Sequence, residues 1–233
     1  WVILGVAGVS TVLAIIAALV VRDAPEQLGQ QREDVTRTDP VAATTASVGD
    51  QWTPAQAIRT RQFALMLVCG VAYAVPWNAL VPHLALHFQD LGYSAGVAGA
   101  FAGTMALIRS RGRLVGAIGG WAPPQYVLAV ALALEGLGPA LVLRADQTAV
   151  AYLAVTIVAL GFGMAYISVP VLLTHFFGRR AFSVTTGLRM MVPGIFSGLG
   201  PWLSGELFDA TGAYTIPFLG LTAVALLGSL SAV

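Results

Sequence analysis

The sequence predicts an all-α membrane protein, built as one isolated helix followed by a bundle of six. Three observations carry this. Hydrophobic residues make up 57% of the chain against 10% charged, and mean hydropathy is +0.80. A soluble domain has roughly a quarter of its residues charged, so lipid must be the solvent over most of this length. The apolar residues are gathered into seven blocks, each near or above the roughly 20 residues a helix needs to cross the hydrocarbon core. None of the blocks alternates polar and apolar as a membrane β-strand would. In lipid the backbone must pair with itself, so these blocks are expected as helices.

In order along the chain, the blocks lie at about 2–21, 62–88, 95–118, 125–144, 149–177, 183–206 and 212–233. The first resembles a secretory signal in position only. It lacks a basic leading region and is long enough to span a bilayer, so it reads as a membrane helix over 1–21, belonging to a longer chain. The segment 22–61 is different in kind, rich in Asp, Glu, Gln, Thr and Arg and poor in large apolar residues. It is expected to be a flexible linker. Its end, "QWTPAQAIRTRQF", predicts a short surface helix with Thr53 as N-cap and Pro54 in the first helical position. Residues 62–233 then form the six-helix unit.

Arginine placement predicts orientation. All twelve cationic side chains are Arg, and the net charge is only +1, with no basic tract to suggest nucleic acid. The linker holds Arg22, Arg32, Arg37, Arg59 and Arg61; two alternate connections hold Arg109, Arg111 and Arg113, then Arg179 and Arg180. The opposite side holds Arg144 alone. The positive-inside rule therefore puts the linker in the cytoplasm, with Trp1 and Val233 outside. The single cysteine, Cys69, excludes an internal disulfide and sits in an apolar run as a small buried hydrophobe. His83 and His87 have the spacing of a metal pair, but no further ligands accompany them, so an interfacial or cavity-lining role is expected and no metal or cofactor is implied.

Two stretches carry a family resemblance: "GFGMAYISVPVLLTHFFGRRAFSVTTGL" (Gly161–Leu188) and "LGPWLSGELFDATGAY" (Leu199–Tyr214). With one span, a long linker and six more spans, they resemble the major facilitator superfamily read from its sixth helix to its twelfth. "RTRQFALML" and "VPHLALHFQDLGYS" look closest to the monocarboxylate and oxalate–formate antiporter branch. The resemblance implies the C-terminal half of a secondary transporter working by alternating access. Its partners would be the lipid bilayer, a small anionic solute, and an N-terminal half supplied by upstream sequence or a second chain. One departure stands out. "GRLVGAIGGWAPPQ" keeps Gly112, Arg113 and Gly116 of the family's inner latch, but has glycines and Trp121 where an acid and a base are usual.

A charge inside a bilayer is a functional candidate by default. Arg189, about two turns into its span, is a candidate to bind a substrate carboxylate bidentately; the alternative is that it snorkels to the cytoplasmic face. Arg109 and Arg113 share a helix face and either reach a cavity or fix topology at the interface. Tyr73, Trp77 and Asn78 are expected to line the pathway from one helix and Tyr166 from another. Glu135, alone near mid-span, is a coupling-proton candidate or a structural acid. Pro76, Pro82, Pro170 and Pro193 are expected as gating or hinge positions, the first three bending their helices and Pro193 lying one turn above Arg189 on the same face. Gly99, Gly103, Gly112, Gly116 and Gly120, with Gly194 and Gly198, form small-xxx-small steps for close helix approach, either to the other half or inside this one. Two further readings stay open: a non-transporting half that serves only as a membrane interaction module, and efflux of drugs or other small solutes. An intramembrane enzyme lacks its parts, since the spans contain no His–Glu metal motif, Ser–His pair or acidic dyad.

Overall fold

The structure is a computed structural model, and it describes residues 8, 10–12, 15, 52–118 and 122–233. The chain divides into two compact units, Trp1–Thr45 and Ala46–Val233. In the first unit Gly8, Ser10, Thr11, Val12 and Ile15 are helical. The expected linker up to residue 51, and the positions of Gly120 and Trp121, lie outside the described residues.

The second unit opens with α1, Pro54–Ala57, where Pro54 takes the first position and Gln56 closes the turn. The Gln56 Oε1 accepts hydrogen bonds from the Thr53 backbone N–H at 3.0 Å and hydroxyl at 2.8 Å. Ala57 is fully buried, and Trp52 and Phe63 each meet the ring of Phe177 edge-on at 6.2 Å. The short helix is thus docked on the bundle rather than free at a surface.

Six long helices follow, close to the expected spans. α2 is Arg61–Asp90, α3 Ala95–Ile118 and α4 Pro124–Val142. Thr148–Thr211 is continuous in hydrogen bonding but breaks at Gly178, whose φ of 66° and ψ of −174° are non-helical. We treat it as α5, Thr148–Gly178, and α6, 179–211. α7 is Thr215–Ser231. By length and composition α2, α4 and α5 can each cross a membrane, and α7 is a shorter apolar helix. α3 and α6 carry Arg109, Arg113 and Arg189, so each has a face that lipid would not suit.

Glycines set the closest helix crossings. α5 lies against α4 at Gly161, where an added Cβ would stand 2.6 Å from the Ala131 carbonyl, and against α3 at Gly112, 2.6 Å from the Leu160 carbonyl. Gly70 of α2 admits Pro193 of α6, and Gly136 of α4 admits Ala225 of α7. The Ser229 hydroxyl adds a 2.7 Å hydrogen bond from α7 to the Ala129 carbonyl of α4. Two apolar cores result. One gathers Leu84, Phe88, Phe101, Val158 and Phe218, with Trp77 packed on it; the other gathers Phe63, Leu132, Leu173 and Phe177, with Tyr73 packed on it.

Candidate functional site

Tyr73 and Trp77 stand one helical turn apart on α2, as do Phe162 and Tyr166 on α5, so each pair shares a face. The two faces interleave. Trp77 stacks on Phe162 with ring centroids 3.9 Å apart, and Phe162 stacks on Tyr73 at 4.8 Å. Tyr73 meets Tyr166 at a tilt, 6.5 Å away. The outcome is a ladder of four rings joining the two cores across the middle of the bundle.

Three arginines from two other helices settle on this ladder. The Arg109 guanidinium lies 5.3 Å from the Trp77 ring and 6.0 Å from Phe162. That of Arg113, one turn further along α3, lies 4.2 Å from Tyr166. Arg189 comes from α6 and lies 5.6 Å from Tyr73. Backbone approach makes this possible. A Cβ on Gly163 would collide with the Arg109 carbonyl, and Gly112 sits equally close to α5, so α3 presses both arginines against the α5 rings. On the other side, a Cβ on Gly70 would come 2.8 Å from Pro193 Cγ and 3.7 Å from Arg189 Nε. Pro193 and Arg189 therefore share the α6 face that meets α2, as their spacing predicts.

Among the described residues these charges have no acidic partner. Arg189 is only 5% exposed, and the Nε atoms of Arg113 and Arg189 are buried without a hydrogen-bond partner among the described residues. Among those residues no carboxylate pairs with any of the three. Ring faces stabilise a guanidinium, by about 0.5–2 kcal/mol each, but leave its N–H donors free. A site of this kind holds net positive charge and unused donors beside an aromatic wall.

Residues 1–201 match the family model of the Major Facilitator Superfamily. The chain belongs to this superfamily. No curated protein matches it. As a facilitator chain it is an integral membrane protein of a secondary-transporter family, and members of that family are generally not enzymes.

Other expected site residues of this facilitator chain fall elsewhere. Asn78 does not join the ladder, because it is exposed and its amide donates to the Ala74 carbonyl of its own helix at 2.7 Å. Pro76 is buried one residue before Trp77, Pro82 is exposed, and α2 and α5 run unbroken through Pro76, Pro82 and Pro170. His83 and His87 serve as interhelical ties. His83 Nε2 is 3.0 Å from the Pro201 carbonyl and its Nδ1 3.4 Å from the Tyr214 hydroxyl, while His87 Nε2 is 3.2 Å from the Val142 carbonyl.

Glu135 is fully buried, and neither carboxyl oxygen has a partner among the described residues. Its backbone lies against Gly161, the neighbour of Phe162, on the α4 side of α5. Phe162 is the member of the ladder that the sequence did not single out. The signal available was its position in "GFGMAYIS", one turn before Tyr166 and flanked by the two glycines that seat α3 and α4.

Proposed function

We propose that this chain supplies one wall of the pathway in a carrier of small carboxylate anions, working by alternating access in antiport or proton symport. The observation that carries the reading is the convergence of Arg109, Arg113 and Arg189 on one aromatic ladder, with no acid paired to them among the described residues. Three cations on one aromatic ladder hold net positive charge where desolvation is costly, and a bound anion offsets it. Guanidinium N–H pairs match a carboxylate bidentately, while the ring faces hold the cations in place when the anion leaves. The resemblance to the monocarboxylate and oxalate–formate branch points to the same class.

The other wall is an N-terminal half. Its place is the face where Met191, Ile195 and Trp202 of α6 are exposed and where Gly194 and Gly198 have open space beside them. The chain sits in the plasma membrane, with the 22–61 linker cytoplasmic and Val233 outside, following the arginine distribution. Glu135 is the coupling candidate, a buried acid set behind the ladder.

The test is carboxylate counterflow in proteoliposomes containing the full native polypeptide. Arg189→Gln removes the charge at similar volume and should lower apparent affinity by about tenfold or more, the worth of a hydrogen bond to a charged group. Unchanged counterflow of every carboxylate tried would sink the proposal. For coupling, Glu135→Gln should abolish uptake driven by a pH gradient while leaving exchange at equal pH. Gradient-driven uptake at the wild-type rate would remove Glu135 from that role.

A further inference from the structure

Beside Arg109 the bundle holds a second feature that a site for the smallest anions would not need. A pocket of about 180 Å³ opens between α2 and α3, its walls including Trp77, Val81, Leu84, Ala102 and Met105, and among the described residues Arg109 is its one charged lining residue. Much of the α3 wall is Ala98, Ala102 and Ala106, one helical turn apart, and their short methyl groups beside Met105 leave the space open. An apolar cavity of ~150 Å³ accommodates a benzene molecule. The pocket is therefore sized for roughly a six-carbon apolar group. Arg109 is held at its end by the Trp77 ring, 5.3 Å from the guanidinium.

We propose that this pocket receives the apolar group of the transported anion, so that the preferred substrate is a monocarboxylate bearing an alkyl or aryl group of about six carbons. This deepens the carboxylate reading above and rests on it. The charge complementarity lies in the position of the cation. With the carboxylate on Arg109, a chain extending away from the other arginines enters the pocket and leaves no polar group of its own unpaired. A dicarboxylate such as oxalate has no apolar end to place there, and a second carboxylate in the pocket would meet only hydrocarbon, at a desolvation cost no partner offsets.

The experiment is competition against labelled benzoate counterflow by the full native polypeptide in proteoliposomes. The competitors are acetate, butyrate, hexanoate, benzoate, decanoate and oxalate. Each CH2 buried raises affinity about fourfold at best, so hexanoate should compete roughly tenfold or more better than acetate even in a half-open pocket. Decanoate should gain nothing further over hexanoate, and oxalate should compete poorly. Ala102→Phe, which fills the pocket, should collapse the hexanoate-to-acetate ratio toward one. If that variant does not fold, the wild-type series alone decides.

The outcomes separate the two layers of argument. Equal competition by all monocarboxylates, together with loss on Arg189→Gln, would overturn the pocket and leave the anion site standing; a side chain of the other half filling the space would give this result. Affinity rising without limit through decanoate would mark an open groove for lipid chains and would also overturn it. If benzoate is not transported and none of the competitors binds, the carboxylate reading itself fails.

Discussion

Gly112→Ala tests whether the arginine site depends on the close approach of α3 and α5. A methyl group there would stand 2.6 Å from the Leu160 carbonyl oxygen, 3.1 Å from the Gly163 Cα and 3.2 Å from the Leu160 Cα. All three are helix atoms that cannot swing aside. Ordinary contact begins near 3.4 Å, so the two helices must part by roughly 0.8 Å at this point. Overpacking of that order costs about 1–3 kcal/mol. It also carries Arg109 and Arg113, one turn before and one residue after, away from Phe162 and Tyr166. The assay is thermal unfolding of the purified native polypeptide in detergent, paired with anion affinity. Gly220→Ala is the control, because a Cβ there meets nothing within 4 Å. We expect Gly112→Ala to unfold several degrees lower with weakened anion binding, and Gly220→Ala to match wild type or slightly exceed it. If the two variants behave alike in both measurements, the crossing is not tight and the account of how the arginines are held is wrong.

Gly178→Ala should destabilise by about 1–3 kcal/mol, read by the same unfolding assay, because φ 66° with ψ −174° is a backbone region open essentially to glycine alone. His83→Ala should lose about 1–2 kcal/mol, since it leaves the Pro201 carbonyl and the Tyr214 hydroxyl without their partner, whereas Asn78→Ala should change little. Equal midpoints for these last two would show that the tie from α2 to α6 is not made. Trp77→Leu removes the ring under Arg109 and the stack on Phe162, and should weaken anion competition by about three- to thirtyfold, the range expected of a cation–π contact, at a folding cost of about 1–3 kcal/mol.

Much of the helical architecture was legible in the residues because hydropathy is a local property. A helix in lipid satisfies its own backbone, so its extent follows from composition alone, and the expected blocks at 95–118 and 149–177 agree closely with Ala95–Ile118 and Thr148–Gly178. Thr53 and Pro54 likewise announce α1, since capping is settled within four residues. The polar candidates Arg109, Arg113 and Arg189 stood out for a related reason: a cation in an apolar run is costly in lipid unless it snorkels or finds partners, and the structure gathers all three with Tyr73, Trp77 and Tyr166.

What the sequence could not assign is which faces meet. Phe162 stands at the centre of the ladder yet reads as one more apolar residue, because nothing local distinguishes a ring that seats cations from one that fills a core. The glycine steps look alike along α3 and α6, but Gly112 and Gly116 lie against the α5 backbone while Gly99, Gly103, Gly194 and Gly198 have open space beside them. The His83–His87 spacing fits a metal pair as well as two carbonyl ties, and the carbonyls of Pro201 and Val142 come from elements 118 and 55 residues away. The local sequence determines helices, caps and the presence of buried charge. The partners of each face are decided by packing between distant segments, and that is where the arginine site and its apolar pocket arise.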